Sequence, residues 1–384
     1  MTSLTHKIFN KVDGRRIDLH ISISSGLVSV ALVYSNTNEL PTVLASLSRT
    51  VPFDHNPQPQ EIKKRVLITL EALLSDFVVE IKGMYELNDL YDSHQTIHGI
   101  TIGLSPLWLD VNSEARQAVY ESSRVITDQM ISELIAPENA EETIDISVVR
   151  AHANKYEINP KDVAGMETPE LELQVMYSSL SLSEKENLLD ILLRHFAVEE
   201  TKNIEFVPST KVMLFALTEL YGITDHYSIV HFDAEDTQVI TRSTEDGLFI
   251  ETLPYGLGEF KRQIIKEGMA PDFIHAKDML RGYYERALED SVSEQLSYIS
   301  DVEGQVLENL ITSKTSLQSP LFVISSQVGE NFLMQDAITE SKGHPTVTKV
   351  DIDNFSQYIT TIGDYVVPSV ETLLITLYAQ GSQM

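Results

Sequence analysis

Hydrophobic and polar positions change their period several times along this chain, and the changes divide it. From Arg16 to Tyr34, RIDLHISISSGLVSVALVY alternates apolar and polar residues around SSG, which predicts two strands and a tight turn. TVLASLSRTVPF predicts a third strand. PQEIKKRVLITLEALLSDFVVEIKGM then shifts to helical spacing. Ile62, Val66, Ile68, Leu70, Leu73 and Leu74 face largely one way, and Pro59 sits near the start. QTIHGITIGLS returns to strand.

A stretch of different texture follows. SEARQAVYESSRVITDQMISELIAP predicts an amphipathic helix with Val119, Val125, Ile126, Met130, Ile131 and Leu134 on its apolar side. TIDISVVRAHANKYEINPKDVAGMETPELELQVMYSSL predicts strands around a polar turn at NP and an acidic loop at AGMETPE. The earlier rhythm then resumes. LSEKENLLDILLRHFA reads as helix, NIEFVP as strand, and STKVMLFALTELYG as a helix closed by Gly222. Residues 105–180 therefore read as a small α+β unit inserted between 1–104 and 181–224.

The second half, 225–384, repeats the opening. YSIVHFDAEDTQVITRSTEDGLFIETLPYG is again three strands, and LGEFKRQIIKEGM is again a helix. A helical section spans about 260–316, PLFVISSQVG and TVTKVDID are strands, and PSVETLLITLYAQ is a helix. A three-strand start that occurs twice predicts two related α/β halves.

Composition narrows the partners. The 384 residues suffice for two or more domains. The net charge of −29, from 57 acidic and 28 basic residues, repels nucleic acid and attracts basic segments. The absence of cysteine excludes disulfides, thiolate metal sites and cysteine nucleophiles. No apolar run suits a signal peptide or a membrane span, so a cytoplasmic protein without direct membrane insertion is expected.

Catalytic signatures are sparse. Neither a Gly-x-Ser-x-Gly elbow nor a Gly-x-x-x-x-Gly-Lys-Ser/Thr loop occurs. His94 and His98 have zinc spacing only on a helix, and they flank a loop and a strand start with no third ligand, so no metal is expected. Asp233, Glu235 and Asp236 in DAEDTQ read as a solvated turn tip. Trp108 reads as a packing residue of the inserted unit.

The duplication, together with YEINPKDVAGMETPELELQVMYSSL and FVPSTKVMLFALTELYG, resembles the FtsA/PilM type of the actin-like ATPase superfamily. The resemblance spans almost the whole chain in order of elements. It implies an α/β, actin-like (ribonuclease H-like) duplicated fold with a small inserted α+β subdomain in the first half. In that family phosphates lie between two hairpin turns whose N–H groups point inward. Here His20 stands where the family usually has Asp, although Ser22, Ser24, Ser25 and Gly26 remain as donors. The family's Asp-x-Gly-Gly-Gly-Thr becomes HFDAEDT: His231 replaces the Asp, Ala234, Glu235 and Asp236 take the glycine region, and Thr237 survives. Ser325, Ser326 and Gln327 replace an expected glycine pair, leaving Gly329 alone. Lys277 stands where relatives carry Ala-Glu.

These departures imply the fold without efficient ATP hydrolysis and without catalytic residues. No cofactor is expected. If the turns still take ATP and magnesium, Ser24, Ser25, Gly26, Thr237, Gly256, Gly258, Ser325 and Gly329 are the residues to hold them. The resemblance further implies a scaffold that docks the cytoplasmic segment of an inner-membrane protein in type IV pilus or related secretion machinery. Its docking candidates are Tyr156, Ile158, Met166 and Leu173, and it would sit at the inner membrane only through that partner. The alternative is an ATP-binding cell-division or filament-forming protein, which would be a homo-oligomer. FtsA-type proteins end in a basic amphipathic helix. SVETLLITLYAQGSQM has Glu371 and no Lys or Arg after it, so a core helix is expected there.

Overall fold

The computed structural model of this chain describes residues 15–36, 39–52, 58–87, 97–137, 142–196, 203–224, 226–243, 247–312, 319–325, 346–362 and 366–381. The first segment supplies β1 (Arg15–Ile23), β2 (Leu27–Asn36), β3 (Thr42–Thr50), α1 (Pro59–Leu87) and β4 (Ile97–Leu104). The inserted unit holds β5 (Asp110–Val125), α2 (Asp128–Leu134), β6 (Thr143–Ala153), β7 (Tyr156–Ile158) and β8 (Glu167–Ser179). Next come α3 (Leu182–His195), β9 (Ile204–Pro208) and α4 (Ser209–Tyr221). The second half has β10 (Tyr227–Phe232), β11 (Thr237–Ser243), β12 (Gly247–Leu253), α5 (Gly258–Lys266), α6 (Phe273–Tyr284), α7 (Asp290–Thr312), β13 (Leu321–Ser325), β14 (Val347–Lys349), β15 (Thr360–Thr361) and α8 (Val370–Gly381).

The duplication is visible in the pairing. One sheet runs β15-β3-β2-β1-β4-β9 and another runs β12-β11-β10-β13-β14. In each, the first three strands in chain order form an antiparallel meander, and the two later strands add in parallel on the other side of the first. A third, antiparallel sheet, β5-β8-β6-β7, is the inserted unit.

β1 explains why an alternating strand can be buried on both faces. Ile17, Leu19, Ile21 and Ile23 join the cluster that includes Val66, Leu70 and Leu73 of α1. The alternate residues Asp18, His20 and Ser22 are also buried, on the side covered by α8. Helix α8 is buried from Val370 to Ala379, as expected of a helix that is apolar nearly all round. β15 and α8 follow the second sheet in sequence yet pack on the first, β15 by pairing with β3 and α8 by contacting β1, β2 and β4. The core helix expected at the C-terminal stretch is therefore present.

Three local expectations are overturned. The stretch from Ser113 to Val125 is strand, not helix: β5 pairs with β8 from Asp110↔Ser179 to Val125↔Glu167, with an irregularity between Val119 and Arg124. Its Ala, Arg, Gln and Glu content favours helix, but the free edge of a paired sheet overrides that preference. The helix begins only after Thr127, whose hydroxyl accepts from Met130 N at 3.3 Å. Val119 and Val125, expected on an apolar helix face, are exposed, whereas Ile126 is buried. Likewise Ile68 points to solvent from α1. Trp108 is buried, but in the cluster of the first sheet, not in the inserted unit's own core.

The strand assignment makes a quantitative prediction. Leu173 on β8 is fully buried and Val119 on β5 is 71% exposed. Leu173→Ala should cost about 2–5 kcal/mol in urea unfolding, and Val119→Ala should stay within about 0.5 kcal/mol. A large loss at Val119 would restore the helical assignment.

Candidate functional site

The two repeated hairpins meet turn to turn, and a carboxylate joins them. Asp233 follows β10 and is completely buried. Its Oδ2 accepts from the Ser25 N–H at 2.7 Å and its Oδ1 from the Gly26 N–H at 3.0 Å. Ser24 Oγ lies 2.9 Å from Oδ1, and the N–H of Ala234 donates to the same oxygen at 2.7 Å. The reverse contact runs from Glu235 N to Ser25 Oγ at 3.1 Å. Consecutive N–H groups converging on one anion form a nest, and here the anion is a side chain of the protein itself.

The turn is braced from behind. Leu257 N and Gly258 N donate to the carbonyls of Asp233 and Ala234 at 2.9 and 2.7 Å, and Thr237 Oγ1 donates to Tyr255 O at 2.6 Å. A Cβ on Gly256 would stand 2.5 Å from the Ala234 carbonyl, so only glycine permits this approach. Thr237, Gly256 and Gly258 thus secure the hairpin internally.

DAEDTQ is not a solvated tip. Asp233 and Asp236 are buried, and Glu235 is held by Arg262 Nη1 at 2.9 Å, whose Nε reaches Glu259 at 2.7 Å. Burial pushes the Glu235 carboxyl up, and Arg262 opposes the shift. Burial pushes Asp236 well above its ordinary value, and the carboxylates of Asp233 and Glu235 add to the shift.

Behind the first hairpin a cavity of about 20 Å³ is lined in part by Ser24, Ser105, Ser209, His231, Glu371 and Ile375. That is room for about one water molecule, against several hundred Å³ for an ordinary small-ligand pocket. His231 Nε2 lies 3.7 Å from Glu371 Oε1, and neither side chain has a hydrogen-bond partner among the described residues. His20 is 2.8 Å from Thr376 Oγ1, which donates its own proton to Thr372 O. Thr376 therefore accepts, and His20 carries its proton on Nδ1. Burial pushes the His20 pKa down to about 3, so the ring is neutral.

The remaining expected site residues divide. Ser24, Ser25 and Gly26 come together at the nest. Ser325 is buried at the end of β13, and Lys277 is exposed on α6. Ser326, Gln327, Gly329 and His94 lie outside the described residues, and His98 is on β4. Among the docking candidates Tyr156 is exposed on β7, and Ile158 and Met166 are half-buried. Leu173 is a correction: it lies wholly inside the inserted unit's core and is closed to a partner.

Contacts that the sequence reading missed tie the inserted unit to the rest. The Gln174 carboxamide pairs with both backbone groups of Leu248, at 2.8 and 3.0 Å. Arg150 Nη1 donates to Ser243 O at 3.3 Å, Arg242 Nη2 to Val149 O at 3.1 Å, and Lys211 pairs with Asp145 at 2.6 Å. A polar residue at alternate strand positions carries no signal of a partner so far away in sequence.

Two meanders of matching order, each extended by parallel strands and joined at their first turns, make up an actin-like fold, here with an inserted subdomain. Among solved structures the chain is similar to a chain of a PilM-PilN type IV pilus biogenesis complex, at TM-score 0.55 and 14% identity, covering 97% of this chain and 99% of that one. It is also similar to the ethanolamine utilization protein EutJ from Carboxydothermus hydrogenoformans, at TM-score 0.43, 9% identity and coverage of 98% and 94%. A Bacteroides thetaiotaomicron protein with an actin-like ATPase fold matches at TM-score 0.35, 8% identity and coverage of 89% and 94%. No family model and no curated protein matches the sequence.

The fold implies ATP with magnesium, and the phosphate side of the site does not fit them in this conformation. The nest is filled by Asp233, and a polyphosphate beside this carboxylate would be repelled. Among the described residues no cluster of three acidic or histidine side chains is arranged to hold a metal, and no helix is long and apolar enough to cross a membrane.

Asp236 yields a pH prediction. Its pKa is raised above 3.8 in the folded chain, so above pH 4 the folded state holds a proton that the unfolded state has lost. Stability therefore falls as pH rises through the raised pKa. Asp236→Asn lacks that slope, and its melting temperature relative to the parent should climb as pH rises above about pH 4. A difference that does not change with pH would show that Asp236 is ionised in the fold. Separately, Gly256→Ala should destabilise by about 1–3 kcal/mol in urea, because backbone must shift to admit the methyl group; a neutral result would mean that the turn has room to yield.

Proposed function

We propose that this chain is an actin-like scaffold that has given up nucleotide turnover and works as a docking adaptor in type IV pilus or related secretion machinery. One observation carries the reading: the carboxylate of Asp233 occupies the amide nest that a phosphate group would need. The neutral, buried His20 and the one-water cavity beside His231 support the same conclusion. Likeness to a chain of a pilus biogenesis complex supports the setting. The net charge of −29 favours a basic cytoplasmic segment of an inner-membrane protein as the partner. Exposed Tyr156 and the half-buried Ile158 and Met166 are the apolar anchors on the inserted unit. The protein would then be cytoplasmic and reach the membrane through that partner.

Calorimetry with Mg-ATP is the test. The parent chain should show no binding, and Asp233→Gly, which frees the Ser25 and Gly26 N–H groups, should gain measurable affinity for Mg-ATP or inorganic phosphate. A micromolar dissociation constant for the parent, about −8 kcal/mol, would sink the proposal. For the docking surface, an array of short Lys/Leu peptides should retain the parent chain, and Tyr156→Asp should reduce capture at least about tenfold.

A further inference from the structure

Helix α7 carries an apolar line that is exposed among the described residues. Its core-facing line is Val292, Leu296 and Ile299, which pack in the cluster shared with α5 and α6. At 3.6 residues per turn, Tyr298, Val302 and Val306 lie roughly 90° around the helix from that line. They are 70%, 39% and 42% exposed. Asp290, Glu294 and Asp301 form a third line roughly 100° further round, and all three are exposed. The helix contains no Lys or Arg. The described side chains thus give a buried line, an exposed sector with Tyr298, Val302 and Val306 that also carries Ser291 and Gln295, and a line of carboxylates.

We infer that this face docks an amphipathic helix of a partner protein whose apolar stripe is bordered by Lys or Arg. The spacing of Tyr298, Val302 and Val306 at i, i+4 and i+8 gives ridges of the kind that another helix packs against. The acidic border selects the partner's charge. A second copy of this chain would set two acidic borders against each other within a molecule already at −29. An anionic lipid surface would be repelled for the same reason. Three apolar residues bordered by carboxylates suit a reversible contact more than a permanent one, because the desolvated area is small and the charged rim contributes chiefly to encounter. This inference does not depend on the proposed pilus setting, and it uses a surface separate from Tyr156.

The chain has no cysteine, so Val302→Cys introduces a unique thiol for an environment-sensitive fluorophore. The probe is a synthetic three-heptad helical peptide with Leu at positions a and d and Lys at e and g. Saturable blue-shifted emission is expected at Val302→Cys and none at Leu193→Cys, an exposed position on α3. Unlabelled Tyr298→Asp and Val302→Asp, with melting temperatures matching the parent, should bind the peptide at least about tenfold more weakly by calorimetry. Leu193→Asp, on the exposed side of α3, should bind it as the parent does. Equal binding of a peptide with Ser at a and d would reduce the effect to charge alone and overturn the inference. Undiminished binding by both acidic variants would also overturn it. A blue shift that grows with protein concentration in the absence of peptide would make the occupant a second copy and overturn it as well.

Discussion

The contact on which the rest of the site depends is the one between Asp233 and the turn at Ser24 to Gly26. It closes the space between two hairpins that belong to different sheets and lie more than 200 residues apart in sequence. Hydrogen bonds to a charged acceptor contribute about 1.5–3 kcal/mol each, and three donors from the opposite hairpin meet this one carboxylate. A nest of N–H groups without an anion would be a cost to the fold. By supplying its own anion, the chain stabilises the closed arrangement without a ligand.

The same logic runs through the layer between β1 and α8. Asp18, His20 and Ser22 face inward from β1, and Glu371, Thr372 and Thr376 face inward from α8. Thr376 accepts from His20, and Ser369 meets both Ser29 and Thr372. The hydroxyls and His20 Nδ1 satisfy each other there at modest cost, whereas Asp18 pairs with Arg16 and Glu371 has no hydrogen-bond partner among the described residues. His20 is compatible with that layer only in its neutral form.

Much of the architecture is legible in the sequence, for physical reasons. The twofold recurrence of strand–turn–strand–turn–strand–helix shows because buried strands demand β-branched alternation wherever they occur. Gly222 announces a helix end because few other residues adopt its left-handed backbone, φ 65°. The replaced phosphate turns are readable as departures, but the role of Asp233 is not: one carboxylate in a turn looks solvated until the opposing hairpin is known. β5 is misread because residues 113–125 have helix-favouring composition, and only the long pairing with β8 decides otherwise. Leu173 looks like a docking residue from its place in a motif, although its alternation with Leu171 and Val175 places all three inside.

The placement of β15 and α8 bears on how the molecule is made. Residues near 360 and 370–379 complete the edge and one face of a sheet that begins at Arg15. A nascent chain that has emerged only as far as Leu180 has every strand of the opening meander, but it lacks the helix that covers His20 and Ser22. The first half therefore cannot cover that face of its sheet while the ribosome is still translating the second. Its assembly waits on contacts spanning more than 340 residues, and loop closure of that length precedes the gain from packing. Such a protein spends its synthesis with one face of a central sheet open, which is the circumstance in which chaperone capture is most useful.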